Sequence, residues 1–189
     1  INADEIIEKL EKRIYLESKE RNSSLDDASL NEIAHDVAIG TIRYELIKPD
    51  LDKIITFDIN TSLKLEGDTC SYIQYSCVRA ARILEKSDKK PDFNASFDQL
   101  NTQHDLNLIK QIGMFEIFVN DAAKNYSPKV IAKYCYGLAV TFSSFYEHVK
   151  VLKAETPELV NARLCLVLSF GLTLEKALDL LGITVPQRM

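Results

Sequence analysis

Glycine and proline are scarce, at six and five residues in a chain of 189. So few turn formers leave little room for the many tight connections of a β-sandwich, and they favour helices. Cysteine is sparse too. Cys70, Cys77, Cys135 and Cys165 include no close pair of the kind that binds zinc or cycles as a redox dithiol. They read as small buried hydrophobes in a reducing compartment. The three histidines, His35, His104 and His148, are scattered. Positive charge is not in excess. The net charge of −5 means that any contact with nucleic acid must come from a local basic patch. The longest apolar run, Leu164 to Leu174, is too short to span a bilayer and reads as a buried helix. No signal peptide opens the chain, so a soluble cytoplasmic protein is expected.

Catalytic signatures are missing as well. There is no glycine-rich loop of the P-loop or Rossmann kind, no Gly-x-Ser-x-Gly elbow and no His-Glu-x-x-His. Glu147 and His148 are neighbours on a predicted helix and do not face each other, so His148 reads as a surface side chain. Asp4-Glu5 and Asp26-Asp27 read as helix-start or loop charges. No internal repeat, heptad run or low-complexity segment is present. A binding or scaffolding role fits better than catalysis within this chain.

What is present is helical periodicity. Ile6, Ile7, Leu10 and Ile14 predict a helix over 2–21, with Asp4 and Glu5 suited to its first turn. A polar break covers 22–27. Ser29 and Glu32 read as a capping box for a second helix that carries Ile33, Val37, Ile42 and Tyr44 and stops before Pro49. Gly40 inside it costs about 1 kcal/mol against alanine, so close packing on a neighbour is expected there. Residues 53–58 form a β-prone, strand-like connector, and Asn60 or Thr61 caps a short turn through Leu65. A polar linker covers 87–94. A long helix is predicted over 103–125, with Leu106, Ile109, Ile112, Phe115, Ile117, Phe118, Val119 and Ala122. Ser127-Pro128 and Thr156-Pro157 each read as an N-cap followed by proline at the first helical position. The helices they start run to about Val149 and Leu181, and Gly182 is the C-cap of the last. The fold class is all-α, an antiparallel helical bundle with one short extended segment.

The most informative stretch is 67–84. At about 100° per residue, Tyr72, Tyr75, Arg79 and Arg82 fall on one side, with Ile83 intruding. Ile73, Cys77, Ala80, Ala81 and Leu84 fall on the other. Two readings are open. Rings interleaved with arginines stack unpaired bases and hold phosphates; alternatively, the tyrosines are core edges and the arginines are solvated.

Three separated motifs add to this. Ala38-Ile-Gly-Thr-Ile-Arg-Tyr44 is followed by Ile55-Thr-Phe-Asp58. Glu66-Gly-Asp-Thr69 precedes Tyr72-Ile-Gln-Tyr75 and Arg79. The third group closes the chain: Ala132-x-Tyr-x-Tyr136, Phe142-x-x-Phe145-Tyr146, Val151-Leu152, Ala162-Arg-Leu164, Leu181-Gly-Ile183 and Pro186-Gln-Arg-Met189. In order, spacing and terminal position they resemble the C-terminal region of arginyl-tRNA synthetases, from about Asp26 onward.

The resemblance implies a DALR-type helical anticodon-binding domain over 66–189. Residues 1–65 would be linker helices that follow a catalytic domain and lie along the tRNA. In that family the catalytic domain is a class I Rossmann fold whose His-Ile-Gly-His-like and Lys-Met-Ser-Lys-like signatures activate arginine with ATP. Neither signature is here, and the chain opens on isoleucine rather than methionine. It therefore resembles a fragment that is inactive alone and holds no cofactor, ATP and arginine belonging to the missing catalytic domain. The implied partners are the anticodon loop of tRNA(Arg) and that catalytic domain, with neither DNA nor membrane among them.

Residue by residue, Tyr72 and Tyr75 match aromatics that contact the anticodon loop, and Tyr146 matches a further loop-contacting tyrosine. Met189 matches a methionine that closes on the base pocket. Recognition in the family centres on the middle cytosine. Gln74 and Arg79 belong to the motif. Arg82, Arg163 and Arg188 are candidates for RNA-backbone contact or for intramolecular pairing. Cys70-Ser71 departs from a usual Gly-Pro, and Ser76-Cys77 from alanine followed by histidine or tyrosine. A second reading stays open: a free-standing helical RNA- or protein-interaction module without ligase activity.

Overall fold

Short polar side chains start most of the helices. The computed structural model describes residues 2–22, 24–50 and 52–189. Asn2 caps α1 (Ala3–Arg21) by accepting from the Asp4 amide at 3.4 Å. α2 (Asp27–Ile47) starts earlier than the Ser29–Glu32 pattern predicts. Asp26, extended and with its carboxylate free to turn back, accepts from the Ser29 amide at 2.8 Å, so Ser29 sits inside the first turn. The polar break expected over 22–27 includes Ser23, which lies outside the described residues. Asp58, rather than Asn60 or Thr61, caps the single turn α3 (Ile59–Ser62), through the Asn60 amide at 2.9 Å. Among the described residues 53–58 pair with no strand, and Ile54 is 95% exposed.

Thr69 caps α4 (Cys70–Glu85), and its hydroxyl accepts from the Tyr72 amide at 3.2 Å. The long helix predicted over 103–125 is two helices, α5 (Gln103–Gly113) and α6 (Phe115–Lys124). Gly113 weakens helix continuity, and tertiary contacts complete the break. The Tyr134 hydroxyl donates to the Gln111 carbonyl at 3.0 Å, while Phe115 and Phe118 put their rings 5.7 and 5.0 Å from the Tyr134 ring. Leu106, Ile109 and Ile117 are exposed, and Leu108 is the fully buried apolar residue of α5.

Pro128 opens α7 (Pro128–His148), but the Ser127 side chain makes no cap bond, contrary to the pattern. Thr156 does cap α8 (Pro157–Leu180), accepting from the Leu159 amide at 3.1 Å. α8 is long and apolar enough by composition to cross a membrane, and half of its most apolar stretch is buried inside the bundle. Gly182, at φ +67°, ends it as predicted. The Ile183 amide reaches back to the Leu178 carbonyl at 3.0 Å, a left-handed C-cap that only glycine adopts cheaply.

α7 is central and touches α2, α4, α5, α6 and α8. Its Phe142 stacks on Phe170 of α8 with centroids 3.8 Å apart. α1 and α2 pair antiparallel, with Tyr15 donating to Asp27 and Glu11 beside His35. They enclose a smaller apolar cluster around Leu10, Ile14, Val37 and Ala38. All four cysteines are free and buried. Burial pushes the thiols of Cys70 and Cys77 up from their ordinary value and that of Cys135 up to about 12, as expected of inert core residues.

α4 is held on three sides, by α2, α7 and α8. Its buried face is therefore wider than a two-faced helix allows. Ile83 is buried although the helical wheel puts it with the tyrosines, and Ala81 is exposed although the wheel puts it in the core.

Candidate nucleic-acid interface

The three motifs meet around α2, the 66–69 turn and the start of α4. Tyr44 is fully buried, and its hydroxyl donates to Asp68 at 2.6 Å. Burial, then that carboxylate, holds the phenol far above its ordinary pKa. Lys48 donates to the Asp68 carbonyl at 2.9 Å and to Glu45 at 2.6 Å. The turn that starts α4 is thus tied to α2. Gly40 lets α4 approach: a Cβ there would stand 2.9 Å from Gln74 Nε2 and 3.1 Å from both Cys70 Sγ and Ile183 Cγ2. The close packing expected at Gly40 is present, and Cys70, one of the departures from the family pattern, fills part of it.

On the far side of α4 a surface of rings is assembled. α4 and α7 run in the same direction, so Tyr72 meets Tyr136 and Arg79 meets Tyr146. The Tyr72 and Tyr136 rings contact edge to face, with centroids 6.1 Å apart. Two turns further along α4, the Arg79 guanidinium carbon lies 3.8 Å above the Tyr146 ring and 5.7 Å from the Tyr75 ring. Tyr146 is 42% exposed, and Tyr72, Tyr75 and Arg79 are half-buried. Among the described residues no carboxylate lies within ion-pair distance of Arg79. Stacking on an aromatic face is worth about 0.5–1 kcal/mol at an exposed site. It fixes the guanidinium plane while its edge donors stay free for phosphate or base acceptors. Tyr136 is a member of this surface that the sequence pattern contained but did not single out. Its partner across the helix pair could not be read from spacing on one helix.

The other candidates lie elsewhere. Gln74 is fully buried, with Nε2 on the Thr184 carbonyl at 2.7 Å, and offers no surface to RNA. Arg163 is buried beside Asp105, with Nε to Oδ1 at 3.4 Å, and its Nη1 donates to the Lys150 carbonyl at 3.3 Å. Of its two open roles, the structure shows the intramolecular pairing. Arg82 is exposed and donates to the Met189 carbonyl at 3.2 Å. Met189 does not project among the rings. It packs on the small cluster and lines a cavity of about 30 Å³ with Ile14, Val37, Leu65 and Ser71. Arg188 is exposed in a cleft that it shares with the carboxylates of Glu32 and Asp36.

One pairing was not visible in the sequence. His104 at the start of α5 and His148 at the end of α7 stack with ring centroids 4.5 Å apart. The histidines are 44 positions apart, and only the packing of α5 on α7 joins them.

The DALR anticodon binding domain family matches residues 73–189. The arginine–tRNA ligase of Methanothrix thermoacetophila is 36% identical over 189 residues, which covers all of this chain and 34% of the relative. That of Borrelia hermsii is 37% identical over 191 residues, covering all of this chain and 32% of the relative. The solved structure of Thermus thermophilus arginyl-tRNA synthetase superposes with a TM-score of 0.88 at 33% identity, over all of this chain and 32% of that one. The chain thus spans about a third of the length of the curated relatives it matches.

Proposed function

The chain belongs to the DALR anticodon-binding domain family, and on that premise we propose that it reads the anticodon loop of tRNA(Arg) for an arginine–tRNA ligase. The single observation that supports this most is Arg79 held on the exposed Tyr146 ring beside the half-buried Tyr75, a cation without a carboxylate partner among the described residues. Unpaired bases stack on such rings, and a guanidinium edge then holds phosphate. Tyr72 and Tyr136 extend the same face towards the start of α4. Residues 66–189 form the reading unit, and 1–65 join it to a catalytic domain that binds ATP and arginine. The whole protein works in the cytoplasm.

The test is Tyr75→Ala, titrated against a tRNA(Arg) transcript by fluorescence anisotropy, with circular dichroism to confirm the fold. Affinity falls by about 1–3 kcal/mol, the worth of one stacked base. Unchanged affinity in the folded variant overturns the stacking role.

A further inference from the structure

We propose that Gln74, seated against Gly40, is a positioning residue for the C-terminal tail, and that through the tail it fixes Arg82 beside the aromatic face. This rests on the reading of that face as the anticodon site. Gln74 is wholly buried. Its Nε2 donates to the Thr184 carbonyl at 2.7 Å and, more weakly, to the Asp36 carbonyl at 3.4 Å. Its Oε1 is buried without a partner among the described residues. A buried amide with one end unsatisfied is costly, so what the site retains it for is its donors. Those donors join α2, α4 and the tail. Arg43 adds a second tie, donating to the Gly182 carbonyl.

The held tail has a consequence for charge. Arg82 lies three residues beyond Arg79 on α4 and donates to the Met189 carbonyl at 3.2 Å. While the tail is docked, that guanidinium is directed at a backbone oxygen of the protein. Arg82 is already exposed and has no carboxylate partner among the described residues. Once the tail lifts, the donor now held on Met189 is released and the guanidinium can turn to a phosphate beside Arg79. A free cation attracts any RNA backbone and carries no sequence information. Tail docking therefore favours discrimination over affinity. Loss of the clamp raises salt-sensitive binding to every RNA and lowers preference for the cognate one. A purely structural defect lowers binding to all of them.

Two variants test this. Gln74→Met keeps the volume and removes the donors. Gly40→Ala places a methyl 2.9 Å from Gln74 Nε2 and 3.1 Å from Ile183 Cγ2 of the tail, which crowds the clamp. Each is measured by hydrogen exchange of residues 183–189 and by anisotropy with a tRNA(Arg) transcript and one changed at the middle anticodon base. The expected result is roughly tenfold faster tail exchange, a salt slope steeper by about one, and a several-fold loss of cognate preference. The added slope disappears when Arg82→Gln is combined with either variant. Unchanged tail exchange in both variants overturns the clamp. Faster exchange with slope and preference intact overturns the positioning role. If the unaltered chain shows no cognate preference, the anticodon reading itself fails, and the exchange data still decide the clamp. Should Gln74→Met not fold, Gly40→Ala carries the same comparison.

Discussion

Replacing Arg163 by methionine separates the architecture from the proposed RNA-binding face. Arg163 and Asp105 are 58 residues apart in sequence and paired in the interior, Asp105 with no exposure and Arg163 with 8%. Asp105 also closes the capping box of α5, accepting from the Thr102 hydroxyl at 2.6 Å and the Thr102 amide at 3.2 Å. Removing one partner of a buried pair costs about 3–5 kcal/mol, because the other charge is left uncompensated. Here Thr102 keeps two donors on the carboxylate and the pair itself is long, at 3.4 Å. The lower end, ~3 kcal/mol, is therefore expected. In a chain of this size 1 kcal/mol moves the melting temperature by about 2–4 °C, so Arg163→Met melts roughly 6–12 °C lower. The assay is thermal melting followed by circular dichroism, with tRNA titrations at two salt concentrations well below the transition. The salt slope and the anticodon preference of Arg163→Met match those of the unaltered chain. An unshifted melting temperature with a slope reduced by about one would refute the assignment and return Arg163 to the RNA backbone.

Further outcomes follow from the same geometry. Arg79→Gln keeps the polar side chain but removes the charge over Tyr146, and the slope of log affinity against log salt becomes shallower by about one; an unchanged slope means that Arg79 meets no phosphate. Thr156→Ala loses a cap bond that is present and costs about 1 kcal/mol in chemical denaturation, whereas Ser127→Ala, with no cap bond to lose, costs under ~0.5 kcal/mol. Equal losses contradict the cap assignments. The hydrogen bonds from Ser29 hold the Asp26 carboxyl below its ordinary value of 3.8. A folded-state pKa below the unfolded one gives stability that is present above the unfolded value and lost as pH falls through the folded one. The stability advantage of the chain over its Asp26→Asn variant therefore shrinks on acidification below the ordinary aspartate range. Denaturation midpoints at neutral and strongly acid pH check this, and a constant difference contradicts it.

Much of the fold was legible because helix boundaries rest on local chemistry. Pro128, Thr156-Pro157 and Gly182 act where they stand, and the structure starts and stops helices at them. The misses are tertiary. Nothing near Gly113 says that Tyr134, from the next helix pair, will take the Gln111 carbonyl and stabilise a break. A helical wheel divides α4 into two faces, but three neighbours surround it and bury Ile83 as well. Within the site, Tyr72, Tyr75 and Arg79 were found by their spacing on one helix. Tyr146 came from a motif, and the structure brings it to Arg79 because α4 and α7 lie side by side. Gln74 and Arg163 belong to residue types that usually face solvent. Their burial depends on Thr184 and Asp105, 110 and 58 residues away, which no local pattern reveals.

The most direct measurement is the affinity of this chain for a tRNA(Arg) transcript beside one altered only at the middle anticodon base, at low and at physiological salt. Anticodon reading by the Tyr75–Arg79–Tyr146 face predicts tighter binding to the unaltered transcript at both salts, with a preference that Tyr75→Ala and Tyr146→Ala reduce. Equal affinities that fall together as salt rises would contradict it, leaving only attraction to the RNA backbone.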